Sequence, residues 1–170
     1  HGPAELDDPL EHYLQVLADK TGSLIATSAV FGGMVAHSSP EVLAALEKFG
    51  EEIGVVFQLA DDIIDVTSDV TGKTPGTDLR EHVPTLPTLM LRASTDPADA
   101  HLQQLIGSDL DSDDDLAEAL TLLRAHPVIE QARAEIARRA EVARSYLAPL
   151  PDGDAKAALP VITPQRERLL

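Results

Sequence analysis

The stretch Gly54-Val55-Val56-Phe57-Gln58-Leu59-Ala60-Asp61-Asp62-Ile63-Ile64-Asp65-Val66-Thr67-Ser68-Asp69 limits the fold more than any other part of the chain. Wound as an α-helix at about 100° per residue with Asp61 at zero, it puts Asp65 near ~40°, Gln58 near ~60°, Asp69 near ~80° and Asp62 near ~100°. The polar groups thus share an arc of roughly 100°, and the apolar residues spread over about 200°. A surface helix has the opposite proportions, a narrow apolar stripe and a broad polar face. This helix is therefore expected to be mostly buried, with a thin carboxylate stripe facing a cavity.

Carboxylates one turn apart repel one another, and the repulsion grows when they are desolvated. A bound cation offsets it. A site made only of oxygen donors, without Cys or His beside it, suits a hard cation, and magnesium suits it best because it bridges carboxylates to phosphates. The plain alternative for Asp61, Asp62, Asp65 and Asp69 is a solvated acidic face. The wide apolar arc and the neighbouring Gln58 weigh against that alternative.

The rest of the 170-residue chain reads as helices joined by breaks. His1 to Pro9 is a lead-in, with Asp7 or Asp8 able to cap a helix that has Pro9 at its first position. A mostly apolar helical stretch runs from Leu10 to about Ala36, where Gly22, Gly32 and Gly33 mark kinks or close helix contacts. His37-Ser38-Ser39-Pro40 breaks it, with Ser39 as cap, and the helix that follows reaches Val66 or Asp69. Thr67 to Pro84 reads as a long loop. Helices are expected at Leu86 to Arg92, from Thr95-Asp96-Pro97 onward, at Leu116 to Arg124, at Val128 to Leu147 and at Ala155 to Val161. Asp109 to Asp115 reads as an acidic connector, and the tail from Thr163 is polar. No repeat and no convincing strand is found. Aromatic residues make up only 3% of the chain, which favours packed helices over a sandwich.

The absence of Cys excludes disulfides and thiolate metal sites. The formal net charge of -16 argues against a nucleic-acid backbone as partner. No stretch is apolar and long enough to span a bilayer and no signal peptide is found, so a cytoplasmic protein is expected. The six His residues form no i, i+4 pair, which argues against a zinc site. Asp111, Asp113, Asp114 and Asp115 read as a solvated loop that caps the helix at Leu116. Thr71-Gly72-Lys73-Thr74 lacks the first glycine and the strand of a phosphate loop.

Phe57-Gln58-x-x-Asp61-Asp62-x-x-Asp65 resembles the second Asp-rich motif of the trans-prenyltransferases, the farnesyl, geranylgeranyl and longer polyprenyl diphosphate synthases. Upstream, Tyr13-Leu14 and Lys20-Thr21-Gly22-Ser23-Leu24 are similar to the family's Lys-Thr segment. Downstream, Gly72-Lys73-x-x-Gly76-x-Asp78-Leu79-Arg80-Glu81 and Thr85-Leu86-Pro87 follow in family order. The resemblance implies an all-α antiparallel bundle of the isoprenoid synthase type, with residues 1–170 as the C-terminal part of one domain.

It also implies roles. Asp61, Asp62 and Asp65 would form the magnesium set, Asp61 and Asp65 holding the ion and Asp62 supporting it through water or hydrogen bonds. Lys20 and Lys73 would bind the allylic diphosphate. Thr21 and Gln58 would line the pocket where the carbon-carbon bond forms, and Phe57 would lie near isopentenyl diphosphate. Taken without the resemblance, Lys20 is a side chain snorkelling to solvent and Lys73 a surface loop lysine.

The family's first Asp-rich motif, with its following Arg pair, does not occur before Lys20. His82-Val83-Pro84 stands where a further lysine often lies, and Arg166 and Arg168 are the candidates for a basic tail. The expected protein is thus a prenyltransferase fragment, inactive alone, that pairs as a homodimer or heterodimer. Rival readings are a non-catalytic helical subunit and a class I terpene cyclase, the latter disfavoured by the shortage of aromatics to line a pocket.

Overall fold

In a computed structural model, residues 8–67 and 76–159 are described, and no strand occurs among them. The chain divides into two compact units, residues 1–60 with 135–170 and residues 61–134.

The first unit begins with α1 (Pro9–Leu17). Asp8 caps it, its Oδ1 accepting the N–H groups of Leu10 at 2.9 Å and Glu11 at 3.3 Å, and Pro9 takes the first helical position as the sequence suggests. The chain then passes through a π-helical turn at Ala18–Gly22 into α2 (Ser23–Val35). The expected irregularity in this apolar stretch therefore lies at Gly22, where one wide turn carries Lys20 and Thr21. Single π turns inside α-helices often mark functional positions.

The missing Cβ of Gly22 is used by α3 (Pro40–Thr67). A Cβ there would stand 2.8 Å from the Glu51 carbonyl oxygen. One on Gly54 would stand 2.6 Å from Gly22 Cα, and one on Gly50 2.5 Å from Ala26 Cα. Backbone thus lies on backbone. The pairings of residue 22 with 54, 26 with 50, and Gly33 with Leu43 and Leu46 run α2 and α3 antiparallel. Their connection is tight. Ser38 N–H donates to Gly33 O and His37 N–H to Met34 O, both at 3.0 Å, with His37 at φ 54°, the left-handed residue of a Schellman cap. Ser39 Oγ accepts from Val42 N–H at 3.4 Å and opens α3.

Phe49, Ile53, Val56 and Leu59 of α3 are buried, as are Ile136, Ala140 and Ala143 of α8 (Pro127–Ser145). Arg139 joins the two helices, donating to Glu52 at 3.1 Å and to Glu135 of its own helix at 2.9 Å. Hydrogen bonding by Arg138, with the charges of Arg138 and Arg139, holds the Glu135 carboxyl below the usual range. α2 is apolar all round but buries only Ala26 and Gly33 among its residues, and Val35 remains 81% exposed. The short α9 (Asp154–Ala158) closes the described part of this unit.

The second unit holds the last turns of α3, then α4 (Thr77–Arg80), α5 (Leu86–Arg92), a 3-10 turn at Pro97–Asp99, α6 (Ala100–Gly107), α7 (Asp113–Ala125) and the start of α8. Ile63, Val66, Leu86, Leu91, Ile106, Leu110 and Leu123 are its largest fully buried side chains. The region read as loop from Thr67 to Pro84 contains α4, a single turn too short to show in a hydrophobic pattern. The acidic connector ends earlier than expected. Ser112 caps α7, and Asp113, Asp114 and Asp115 form its first turn, where the helix dipole favours them. Arg80 pairs with Asp113 at 2.5 Å. At the junction of α7 and α8, His126 Nε2 lies 3.0 Å from Asp99, and its Nδ1 accepts from Val128 N–H at 3.1 Å. Hydrogen bonds from Ser94 and His126 lower the pKa of the Asp99 carboxyl.

The close crossing of α2 and α3 yields a paired prediction. Gly50→Ala forces a Cβ into Ala26 backbone and lowers unfolding free energy by about 1–3 kcal/mol despite the better helix propensity of Ala. Gly32→Ala, with nothing within 4 Å of the new Cβ, raises it by up to about 1 kcal/mol. Urea unfolding of the two variants checks both signs.

Candidate functional site

Each unit presents its own part of the expected site. In the first, the π turn holds Lys20 exposed and Thr21 half-buried. Thr21 Oγ1 donates to Gln58 Oε1 at 3.2 Å. This bond spans the crossing where Gly22 meets Gly54, so the glycine contact sets how closely the Lys-Thr segment approaches the Phe57-Gln58 turn. Phe57 is 53% exposed, although the helical wheel had placed it in the buried arc. Val55, Val56, Leu59, Ala60, Ile63 and Val66 follow the expectation and are buried.

In the second unit the three aspartates of the motif lie on the last turns of α3, in three environments. Asp61 is exposed, Asp65 is half-buried and Asp62 is buried at 8% exposure. The carboxylate stripe is therefore not uniform: one edge meets solvent and the other enters the core. Asp62 Oδ2 accepts the Leu86 N–H at 2.8 Å.

Three aspartates near a helix C-terminus sit at the unfavourable end of its dipole. The final carbonyls of α3 are accordingly well supplied with donors. Thr67 Oγ1 donates to Ile63 O at 2.7 Å, Gly76 N–H to Asp65 O at 3.2 Å, and Arg124 Nε to Val66 O at 2.6 Å. Arg124 places a positive charge at the end of the helix that needs it. Sequence reading missed it, since nothing separates Arg124 from the other arginines of the C-terminal helices. Gly76 is also bound in place. Its φ of 76° is left-handed, and a Cβ there would meet both Leu120 methyl groups at 3.0 Å and a Leu116 methyl at 3.2 Å.

Lys73 and Asp69 lie outside the described residues, as do Arg166 and Arg168. Among the described residues, no three His, Cys, Asp or Glu side chains cluster as a cage for a metal. Asp61 and Asp65 stand one turn apart on α3. No helix among the described residues is long and apolar enough to cross a membrane.

Comparison with known proteins decides the family. The polyprenyl synthetase family model matches residues 3–123. The chain belongs to that family. It is 44% identical over 160 residues to a nonaprenyl diphosphate synthase of Mycobacterium tuberculosis, covering 93% of this chain and 48% of that protein. It is 31% identical over 162 residues to the octaprenyl diphosphate synthase of Escherichia coli, covering 94% and 47%. A crystal structure of geranylgeranyl pyrophosphate synthase from Corynebacterium glutamicum, complexed with calcium and isoprenyl diphosphate, superposes with a TM-score of 0.89. It is 39% identical and the match covers 99% of this chain and 53% of that one. The fold is the all-α fold of the isoprenyl synthases, as expected, and the chain spans about half the length of the relatives it matches.

Gly76→Ala is expected to combine left-handed strain with overpacking against α7. It lowers unfolding free energy by about 1–3 kcal/mol in urea titration.

Proposed function

We propose that this chain carries the diphosphate-binding part of a trans-prenyl diphosphate synthase, which adds isopentenyl diphosphate to an allylic diphosphate. The observation that carries the reading is the exposed Asp61 and half-buried Asp65 on α3, following the Phe57-Gln58 turn to which Thr21 is hydrogen-bonded. The named relatives are prenyltransferases, and they are about twice as long as this chain. Elongation is accordingly proposed for the natural protein that contains these residues, with the remainder of the fold supplied in the same chain or by another.

In that reaction the allylic carbon–oxygen bond breaks and pyrophosphate leaves. The double bond of isopentenyl diphosphate attacks the allylic cation, and a proton is then lost. Lys20 and Lys73 would take the diphosphate oxygens and stabilise the charge that develops on them. Asp61 and Asp65 would hold the magnesium. When bound, that ion neutralises diphosphate charge and makes pyrophosphate a better leaving group. Thr21 fixes the Gln58 amide through their hydrogen bond, and both would line the pocket in which the new bond forms. Phe57, half exposed one turn before Asp61, offers an apolar surface near isopentenyl diphosphate.

A dimer, with itself or with a second chain, belongs to the proposal because Leu24, Phe31 and Val35 of α2 remain exposed. A cytoplasmic setting suits its charged substrates.

The test is elongation of an allylic diphosphate by the natural protein, with isopentenyl diphosphate and magnesium. Asp61→Asn is expected to lower turnover by about 10²–10³-fold, the usual effect of deleting one group that stabilises charge in the transition state. Full turnover in that variant contradicts the reading. A natural protein that consumes no primer points instead to a non-catalytic helical subunit.

A further inference from the structure

The aspartates at i, i+1 and i+4 of the motif face different neighbours. With about 100° per residue, Asp65 lies between Asp61 and Asp62 around the helix. Burial rises in the same order, from exposed Asp61 through half-buried Asp65 to Asp62 at 8% exposure. A carboxylate is rarely so deeply buried unless strong hydrogen bonds satisfy it.

Asp62 has such a bond. Its Oδ2 stands 2.8 Å from the backbone nitrogen of Leu86. Leu86 is the first residue of α5, and its N–H is among those for which a helix has no internal acceptor. Thr85 and Thr88 form a capping box, the Thr85 hydroxyl accepting the Thr88 N–H and Thr88 Oγ1 accepting the Thr85 N–H at 3.0 Å, and such a box leaves the Leu86 N–H to another acceptor. The acceptor for Leu86 comes from a residue far upstream, on another helix. The opposite end of α5 is held in the same manner. Gln103 Nε2, from α6, donates to Leu91 O at 2.8 Å and to Ser94 O at 2.9 Å. A helix of this length is not stable alone. α5 buries Leu86, Pro87, Thr88 and Leu91, side chains of α3 and α6 bind its two ends, and the negative charge of Asp62 suits the positive end of the helix dipole.

We propose that Asp62 is a positioning residue and not a cation ligand: it ties the N-terminus of α5 to the last turns of α3, and this tie fixes the turn that presents Asp61 and Asp65. The motif Asp-Asp-x-x-Asp is thereby divided, two carboxylates serving the cation and the buried one serving the backbone. The part concerning the cation rests on the magnesium reading above. The part concerning the tie does not.

The experiment compares Asp62→Asn, Asp62→Ala and Asp61→Asn in the natural protein by hydrogen exchange at the Leu86 amide without metal, and by calorimetric binding of pyrophosphate with magnesium. Asn keeps a carbonyl oxygen at the position of Oδ2. Asp62→Asn should hold Leu86 exchange near the wild-type rate and keep pyrophosphate affinity within a few-fold. Asp62→Ala should speed Leu86 exchange by about tenfold or more, as expected for losing a hydrogen bond to a charged group. Asp61→Asn should leave that exchange unchanged and weaken pyrophosphate binding at least tenfold. Wild-type exchange in Asp62→Ala overturns the proposal. So does a loss of pyrophosphate affinity in Asp62→Asn as large as that in Asp61→Asn. If Asp61→Asn binds as tightly as wild type, the magnesium reading falls, and the exchange rates alone judge the tie.

Discussion

Charge at the end of α3 is the constraint on which the site depends. Asp65 lies in the last turn of α3, where the helix dipole disfavours anions, and Asp61 and Asp62 stand one turn before it. Their mutual repulsion adds to that cost. The fold answers with donors from several elements: Arg124 on the Val66 carbonyl, Gly76 on the Asp65 carbonyl and Leu86 on the Asp62 carboxylate. Each acts on a different group, so the turn is held by more than its own helical bonds. A turn fixed in this way keeps Asp61 and Asp65 in place.

The first unit solves a different problem. Lys20 and Thr21 lie in a long helical stretch, and an α-helix repeats its faces turn by turn. The π turn at Ala18–Gly22 breaks that repeat, and the glycine contact with α3 keeps it in position. The same close approach brings Thr21 to Gln58. Backbone proximity, local helix irregularity and side-chain orientation therefore depend on one another. A methyl group at Gly50 or Gly54 would disturb all three.

Much of this was legible in the sequence. Proline after Asp8 and Ser39 marked two helix starts, because capping and proline chemistry are local. The wide apolar arc of α3 foretold its buried turns, since periodicity reports burial directly. The resemblance already set Asp62 apart from Asp61 and Asp65 as a supporting residue, but the different burial of the three was not legible. Their helical positions follow from spacing, but what covers each depends on α5, which arrives from later in the chain. Phe57 shows the same limit: an apolar residue in a mostly apolar arc, it is nevertheless half exposed. The partner of Arg80 was also hidden, because Asp113 is near it only in space. The resemblance to prenyltransferases rested on short motifs in family order, and the matched family model extends it to residues 3–123.

On the proposed reading, Asp61 and Asp65 hold magnesium against a diphosphate. Calorimetric titration with inorganic pyrophosphate, with magnesium present and then removed by chelation, tests it most directly. Binding with magnesium, its loss on chelation, and its loss in Asp65→Asn with magnesium restored are the expected results. Equal binding with and without magnesium, or full binding in Asp65→Asn, would contradict that reading.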